Sequence, residues 1–176
     1  MRYRKLGKTG LSVSEIGLGA EWLERHRAEA VQALIDRCTF GVVAISTGED
    51  TPYCLPLSLV RVDNRLYFHC AKQGRKLDLL RRDPRVCVTF VAADQPAYLP
   101  ESNMYTTFFQ SAVVTGTAFE VTDPGQKTAA LRALCEKMTP GHMEGFEEAV
   151  RRSLTSTAVW GLHMEEVTGK EKARKR

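Results

Sequence analysis

The chain has 176 residues, of which 43% are hydrophobic and 26% charged, and its formal net charge is +4 at pH 7. This length favours one domain with a core that needs no metal or disulfide, and the composition is typical of a globular protein. The positive charge lies at the ends, +3 in residues 1–19 and +4 in residues 168–176, so the body carries −3 and offers no broad basic face to nucleic acid.

Two further features bear on localisation. The five cysteines are scattered without a Cys-x-x-Cys pair, and their odd number indicates a reducing compartment. No apolar run approaches the roughly 20 residues that span a bilayer, and the basic N-terminus lacks the apolar core of a signal peptide. We therefore expect a cytoplasmic protein that does not associate with membranes.

The first nineteen residues, MRYRKLGKTGLSVSEIGLG, resemble the opening of aldo/keto reductases, which begin with a short hairpin. The resemblance ends at about Gly19. The remaining chain lacks repeating strand–helix units and is too short for a barrel of about 250 residues. We therefore predict a fused extension over residues 1–19, either ordered as a hairpin or not ordered, and no NADPH-binding barrel.

The body of the chain alternates between helical and strand patterns. Apolar residues at helical spacing predict an amphipathic helix over residues 21–38. Pro56 predicts a sheet edge or a bulge, Gly116 predicts a bulge or a close backbone approach, and residues 93–110 are predicted to form a long irregular loop. The predicted strands cover residues 40–46, 52–60, 66–70, 86–92, 111–121 and 157–167.

Three later helices and a tail complete the pattern. Leu77 and Leu80 share one face of a short helix that ends before Pro84, and Asp123 is predicted to cap a second helix. A third amphipathic segment covers residues 143–154, and a polar tail begins at residue 168. Six strands with short turns and peripheral helices favour a mainly antiparallel barrel or sandwich.

The charge at the start of the short helix is unusual. Arg75 and Lys76 fall in its first turn, where the helix dipole and free amides already create positive potential. An anion at this point would remove the conflict, so we hypothesise a phosphate site at Lys72, Arg75 and Lys76. Judged by charge alone, a solvated basic turn is an equally good interpretation. We call residues 72–76 the basic turn.

The segment YFHCAKQGRKLDLLRRDPRVCVTF, preceded by PYCLPLSLVRVDNRLYFH, resembles the FMN-binding split barrels related to pyridoxamine 5′-phosphate oxidase. The most similar branch includes the nitroimidazole-resistance proteins. The resemblance covers about residues 21–169 and implies a mainly β, six-stranded antiparallel split barrel with peripheral helices. We therefore divide the chain into the extension 1–19, an FMN-binding domain 20–169 and a basic tail 170–176.

The resemblance also implies a site. It implies a homodimer with FMN at the subunit interface, a phosphate held by the basic turn, and a catalytic role for His69. One strand would lie along the isoalloxazine, and a later strand would add a contact. The implied cofactor-binding residues are Pro56, Leu57 and Ser58 on the first of these strands, His69, Cys70, Lys72, Arg75 and Lys76 in and before the basic turn, and Gln110 and Ser111 on the later strand.

The activity implied by the resemblance is reduction rather than vitamin B6 oxidation. The oxidase proper carries arginine and lysine on the strand matched by residues 53–59, which has neither. We therefore expect an FMN-dependent oxidoreductase, a flavin reductase that acts on nitro compounds or similar small acceptors with NAD(P)H as a possible donor. The alternative is a non-catalytic flavin or haem binding protein. No metal site is expected, because His69 and Cys70 point to opposite faces of one strand.

Overall fold

The structure is a computed structural model that describes residues 3–5 and 12–14 by their backbone, and residues 28–49 and 51–173. The helices are α1 (Ala28–Arg37), α2 (Arg75–Arg82), α3 (Pro124–Met138) and α4 (Phe146–Ser153), with short 3₁₀ turns at Pro100–Ser102 and Pro140–Gly145. The strands are β1 (Tyr3–Lys5), β2 (Ser12–Ser14), β3 (Phe40–Ile45), β4 (Tyr53–Ser58), β5 (Val60–Val62), β6 (Arg65–Ala71), β7 (Arg85–Leu99), β8 (Met104–Glu120) and β9 (Thr157–Lys172).

Seven of these strands form one antiparallel sheet in the order β4-β3-β7-β8-β9-β6-β5. Strands β4 and β5 lie at opposite ends of this order, yet only Leu59 separates them in the chain. The two edges must therefore come together, which rolls the sheet into a barrel that is not hydrogen-bonded between β4 and β5. This confirms the predicted antiparallel barrel. The strand expected over residues 52–60 is divided at Leu59, so the sheet has seven strands rather than six.

The hairpin between β7 and β8 corrects the predicted loop. Residues 93–110 are not irregular, because β7 and β8 stay paired from Ala93 opposite Gln110 to Leu99 opposite Met104. Pro96 is tolerated because β3 pairs with β7 only as far as Thr89, so beyond that point one side of β7 has no ladder to interrupt. The result is a two-stranded ribbon that continues out of the sheet.

Several local predictions are confirmed. Leu77 and Leu80 are buried, and α2 ends at Arg82, two residues before the proline. Gly116 lies at a register shift between β8 and β9, and a Cβ there would come within 1.8 Å of the His163 carbonyl oxygen. The backbone of β8 therefore approaches β9 too closely for any side chain at this position.

The two ends of the chain are described in part. Near the N-terminus, β1 pairs with β2 in antiparallel fashion. Residues 1–2, 6–11 and 15–27, which include most of the predicted extension and the start of the predicted first helix, lie outside the described residues. Strand β9 continues past residue 167 to Lys172, where it pairs with Phe109. The division into extension, domain and tail stays a prediction. None of the described helices combines the length and apolarity required to cross a lipid bilayer.

Candidate functional site

The basic turn joins β6 to α2, and Gly74 makes the junction. This residue has φ 134° and ψ 160°, a combination that favours glycine, and its carbonyl accepts the first helical hydrogen bond from the Leu77 amide at 2.9 Å. No side chain caps the helix, and a Cβ at Gly74 would meet no atom within 4 Å. The N-terminus of α2 therefore opens onto free space, with Arg75 and Lys76 in its first turn as predicted.

Two aromatic rings support these cations. The Arg75 guanidinium carbon lies 5.1 Å from the ring centroid of Tyr53 on β4, and the Lys76 ammonium lies 5.3 Å from that of Phe68 on β6. Each arrangement is a cation–π contact. Strand β4 forms one edge of the sheet, and β6 is next to β5 at the other edge, so the two cations contact strands from both sides of the barrel's open seam.

The charge of the basic turn is unbalanced. Within the described part of the chain, Lys72, Arg75 and Lys76 make no salt bridge. At the other end of the same helix, Arg81 lies 3.8 Å from Asp78 and 3.7 Å from Glu120. The basic turn thus concentrates positive charge at a helix N-terminus without a protein counter-ion, which is the electrostatic requirement of an anion site.

Cys70 lies on the inner face of β6 beside Lys76. Burial raises the pKa of the Cys70 thiol, and the attraction and hydrogen bond of the Lys76 ammonium offset this rise only in part. The nearby Glu120 carboxylate raises it further. The thiol therefore remains protonated at neutral pH and serves as a neutral partner for Lys76.

His69 lies on the opposite face of β6 from Cys70, as the alternation predicts, and its side chain is exposed. It borders a cavity of about 390 Å³ between the sheet and helices α3 and α4, and Ser58 from β4 borders the same cavity. We call this cavity the α3–α4 pocket. Its lining residues are Ser58, His69, Leu131, Leu134, Cys135, Met138, Thr139, Phe146, Ala149, Val150, Ser153 and Thr157.

The other residues predicted on β4 divide between two faces. Pro56 and Ser58 face outward, whereas Leu57 packs against the barrel core. Strand β4 is an edge strand, so the edge position predicted from the proline is confirmed. Pro56 and Leu57 border the seam but do not line the α3–α4 pocket.

Gln110 and Ser111 lie in a separate groove of about 360 Å³ between α1, β8 and β9. The Gln110 amide accepts a hydrogen bond from Arg37 at 3.0 Å and donates one to Glu171 at 2.8 Å. In a single chain, eight of the ten predicted residues therefore form three groups: the basic turn with Cys70, the pocket with His69 and Ser58, and the groove with Gln110 and Ser111. Pro56 and Leu57 belong to none of these groups.

Some contributors were not identified from the sequence. The alternation of Leu66, Phe68 and Cys70 indicates an inward position for Phe68, but neither this pattern nor the sequence around Tyr53 indicates a cation above the ring. Trp160 pairs with Phe68 across β6 and β9, is only 3% exposed, and its indole N–H has no acceptor among the described residues. Buried donors are normally satisfied, so this N–H is available to a ligand oxygen or a water molecule.

Solved structures share the fold. A candidate 5-nitroimidazole antibiotic resistance protein from Bacteroides thetaiotaomicron is 24% identical, with a TM-score of 0.70 over 82% of this chain and 83% of that one. A flavocytochrome from Azotobacter vinelandii is 24% identical, with a TM-score of 0.74 over 92% and 73%. An FAD and haem binding protein from Mycobacterium smegmatis is 22% identical, with a TM-score of 0.71 over 84% and 72%.

Sequence comparison assigns the family. No curated protein matches the chain with statistical significance. Residues 27–171, which include the basic turn, the α3–α4 pocket and the groove, match the family model described as pyridoxamine 5′-phosphate oxidase. The chain therefore belongs to the pyridoxamine 5′-phosphate oxidase family.

Proposed function

We propose that the protein is a cytoplasmic FMN-dependent oxidoreductase, a flavin reductase that uses NAD(P)H to reduce a nitro compound or a similar small acceptor. The observation that carries this proposal is the basic turn, where Lys72, Arg75 and Lys76 lie at or just before an uncapped helix N-terminus and, among the described residues, make no salt bridge. Asp78 in the same turn lies 3.8 Å from Arg81 instead. Each charge-assisted hydrogen bond to a phosphate contributes about 1.5–3 kcal/mol, so this cluster supports binding of a phosphorylated cofactor.

The residues present fit FMN. The open space at Gly74 admits a phosphate, and the rings of Tyr53 and Phe68 hold Arg75 and Lys76 in place for it. When bound, the flavin supplies the redox chemistry, and the protein supplies binding and orientation. The flavin named in the flavocytochrome and in the FAD and haem binding protein supports the same cofactor class.

His69 is our candidate for proton donation to the acceptor. It is exposed at the edge of the α3–α4 pocket, and histidine is the side chain that most readily exchanges a proton near neutral pH. Its neighbour Cys70 faces the basic turn, so β6 connects the phosphate site on one face with the acceptor site on the other.

A second copy of the chain would complete the site. The outer face of β3 and β7 exposes Phe40 by 55%, Val42 by 39% and Val91 by 60%, a patch typical of an interface. Val91 pairs with Ser111, so the groove adjoins this face. In the proposed homodimer the groove would then lie at the interface, beside the flavin of the partner. Light scattering should then give twice the mass of the 19.7 kDa chain.

Anaerobic titration with NAD(P)H tests the activity. FMN-loaded protein should lose its yellow absorbance, and a nitro compound should restore it. The His69→Ala variant should keep FMN while turnover falls by about 100-fold or more, because a positioned acid contributes at least that factor. His142→Ala changes an exposed histidine outside the pocket and should behave as the wild type.

Two results would overturn these assignments. A protein that binds FMN but stays yellow with NAD(P)H would be a flavin store or sensor, the non-catalytic alternative. A haem absorbance spectrum of the purified protein would show that the cofactor is haem and not FMN. Full turnover by His69→Ala would remove this histidine from the reaction.

A further inference from the structure

We propose that the α3–α4 pocket is a preformed binding site for a small, uncharged aromatic molecule whose hydrogen-bonding end points to the sheet. That this molecule is the electron acceptor rests on the proposed function, whereas its binding does not. A volume of about 390 Å³ suits a single substituted ring.

The lining of the pocket disfavours anionic ligands. Its helical wall is mainly apolar, with Leu134 and Met138 from α3 and Val150 from α4 among its members, and the lining contains no lysine, arginine, aspartate or glutamate. A carboxylate or phosphate held against this wall, away from His69, would lose hydration without a counter-ion, which is unfavourable. The pocket thus differs in kind from the basic turn on the other face of β6.

The polar groups of the pocket that have no hydrogen-bond partner in the protein lie on one side. The hydroxyls of Thr139 and Ser153 donate to the Cys135 and Ala149 carbonyls of their own helices. Within residues 28–49 and 51–173, the side chains of Ser58, His69 and Thr157 make no hydrogen bond. These three groups on the sheet side are therefore free to bind a nitro or carbonyl oxygen of the ligand.

Two lysines fix the wall of the pocket without entering it. The Lys127 ammonium donates to the Leu154 and Thr157 carbonyls at 2.9 and 2.7 Å, which ties α3 to the end of α4 and the start of β9. The Lys137 ammonium donates to the Leu59 carbonyl at 2.9 Å, next to Ser58. Both ends of α3 are thus anchored beside residues that line the pocket, so little ordering is required when a ligand binds.

The test compares 4-nitrotoluene with 4-nitrobenzoate, which share a ring and differ in charge. Equilibrium dialysis of the full chain, without and with saturating FMN, should show 4-nitrotoluene binding about tenfold or more tightly than the anion, because a carboxylate against the apolar wall lacks a partner. The measurement without FMN separates this inference from the proposed function. If the protein failed to take up FMN, the proposed function would be wrong, but 4-nitrotoluene should still bind in the pocket.

Two variants localise the binding. Ala149 is exposed and lines the pocket, so Ala149→Lys should fold normally and should reverse the preference towards 4-nitrobenzoate. Glu148→Lys changes the charge of α4 at the adjacent residue, which does not line the pocket, and should leave the preference unchanged. Any one of three results would overturn the inference. These are equal affinity of the wild type for both probes, an unchanged preference in Ala149→Lys, and release of 4-nitrotoluene when FMN binds.

Discussion

The N-termini of α2 and α3 are built in opposite ways. At α3 the Asp123 carboxylate accepts a hydrogen bond from the backbone N–H of Gln126 at 2.8 Å, and Pro124 occupies the first turn. At α2 the preceding residue is Gly74, no side chain caps the helix, and the first turn carries Arg75 and Lys76 together with Asp78, which lies 3.8 Å from Arg81. The free backbone amides at the N-terminus of α3 are therefore capped by its own sequence, whereas the N-terminus of α2 stays uncapped and positively charged.

This difference separates stability from binding. A carboxylate cap stabilises a helix through its free amides and its dipole, whereas cations in the first turn oppose both. The arrangement at α2 lowers the stability of the protein without a ligand and raises its affinity for an anion. Substitutions at the two helices should therefore have opposite consequences.

The largest expected effect comes from reversing the charge of α2. Arg75→Glu combined with Lys76→Glu removes two charge-assisted contacts, so FMN affinity should fall by about 100-fold to 10,000-fold. Each acidic residue should also stabilise the ligand-free protein by about 0.3–1 kcal/mol, because it matches the helix dipole. Flavin fluorescence titration and urea unfolding measure the two effects.

The matched control for this variant is Arg82→Gln, at the C-terminal end of the same helix. It changes the charge of α2 away from the basic turn and should leave FMN affinity unchanged. If the double variant binds FMN as the wild type does, the anion site lies elsewhere.

A smaller effect is expected at α3. Asp123→Ala removes the cap and should lower the free energy of unfolding by about 1 kcal/mol, while FMN affinity stays constant. Asp123→Ser keeps a capping oxygen and should recover most of the loss in urea unfolding. A large loss of FMN affinity in Asp123→Ala would mean that the two helices are not independent in function.

The smallest effect concerns the end of α2. The Arg85 guanidinium and amide donate to Asp83, which lowers the pKa of this carboxyl to about 2. The unfolded value is about 3.9, so the contribution of Asp83 to stability is complete above that pH and is lost as the pH falls towards 2. Asp83→Asn should therefore show a smaller decrease in urea midpoint between pH 5 and pH 2.5 than the wild type. Equal decreases would show that this pair does not contribute.

The sequence predicted the parts of the site that are local. The alternation of Leu66, Phe68 and Cys70 and the spacing of Leu77 and Leu80 lie within one continuous segment, so β6, the basic turn and α2 were all identified. The strand pattern predicted an antiparallel barrel or sandwich, and the family resemblance narrowed this to a split barrel, because it draws on an order of motifs rather than on periodicity. The resemblance also implied FMN, which stays a prediction.

The parts that were missed depend on contacts between distant segments. The ribbon over residues 93–110 is paired across its own hairpin, with the rings of Tyr98 and Tyr105 4.8 Å apart, and its prolines and polar residues conceal this pattern. The α3–α4 pocket brings together Ser58 and Ser153, which are far apart in the sequence, so no helical or strand periodicity could predict their proximity. The tertiary fold alone brings these residues together.

The most direct test of the central claim is the affinity of the protein for FMN and for riboflavin, which lacks the phosphate. Wild-type protein should bind FMN about 100-fold or more tightly than riboflavin, and Arg75→Ala combined with Lys76→Ala should remove most of that difference while leaving riboflavin binding unchanged. Equal affinity of the wild type for the two flavins would show that the basic turn does not bind a flavin phosphate, and would contradict the account.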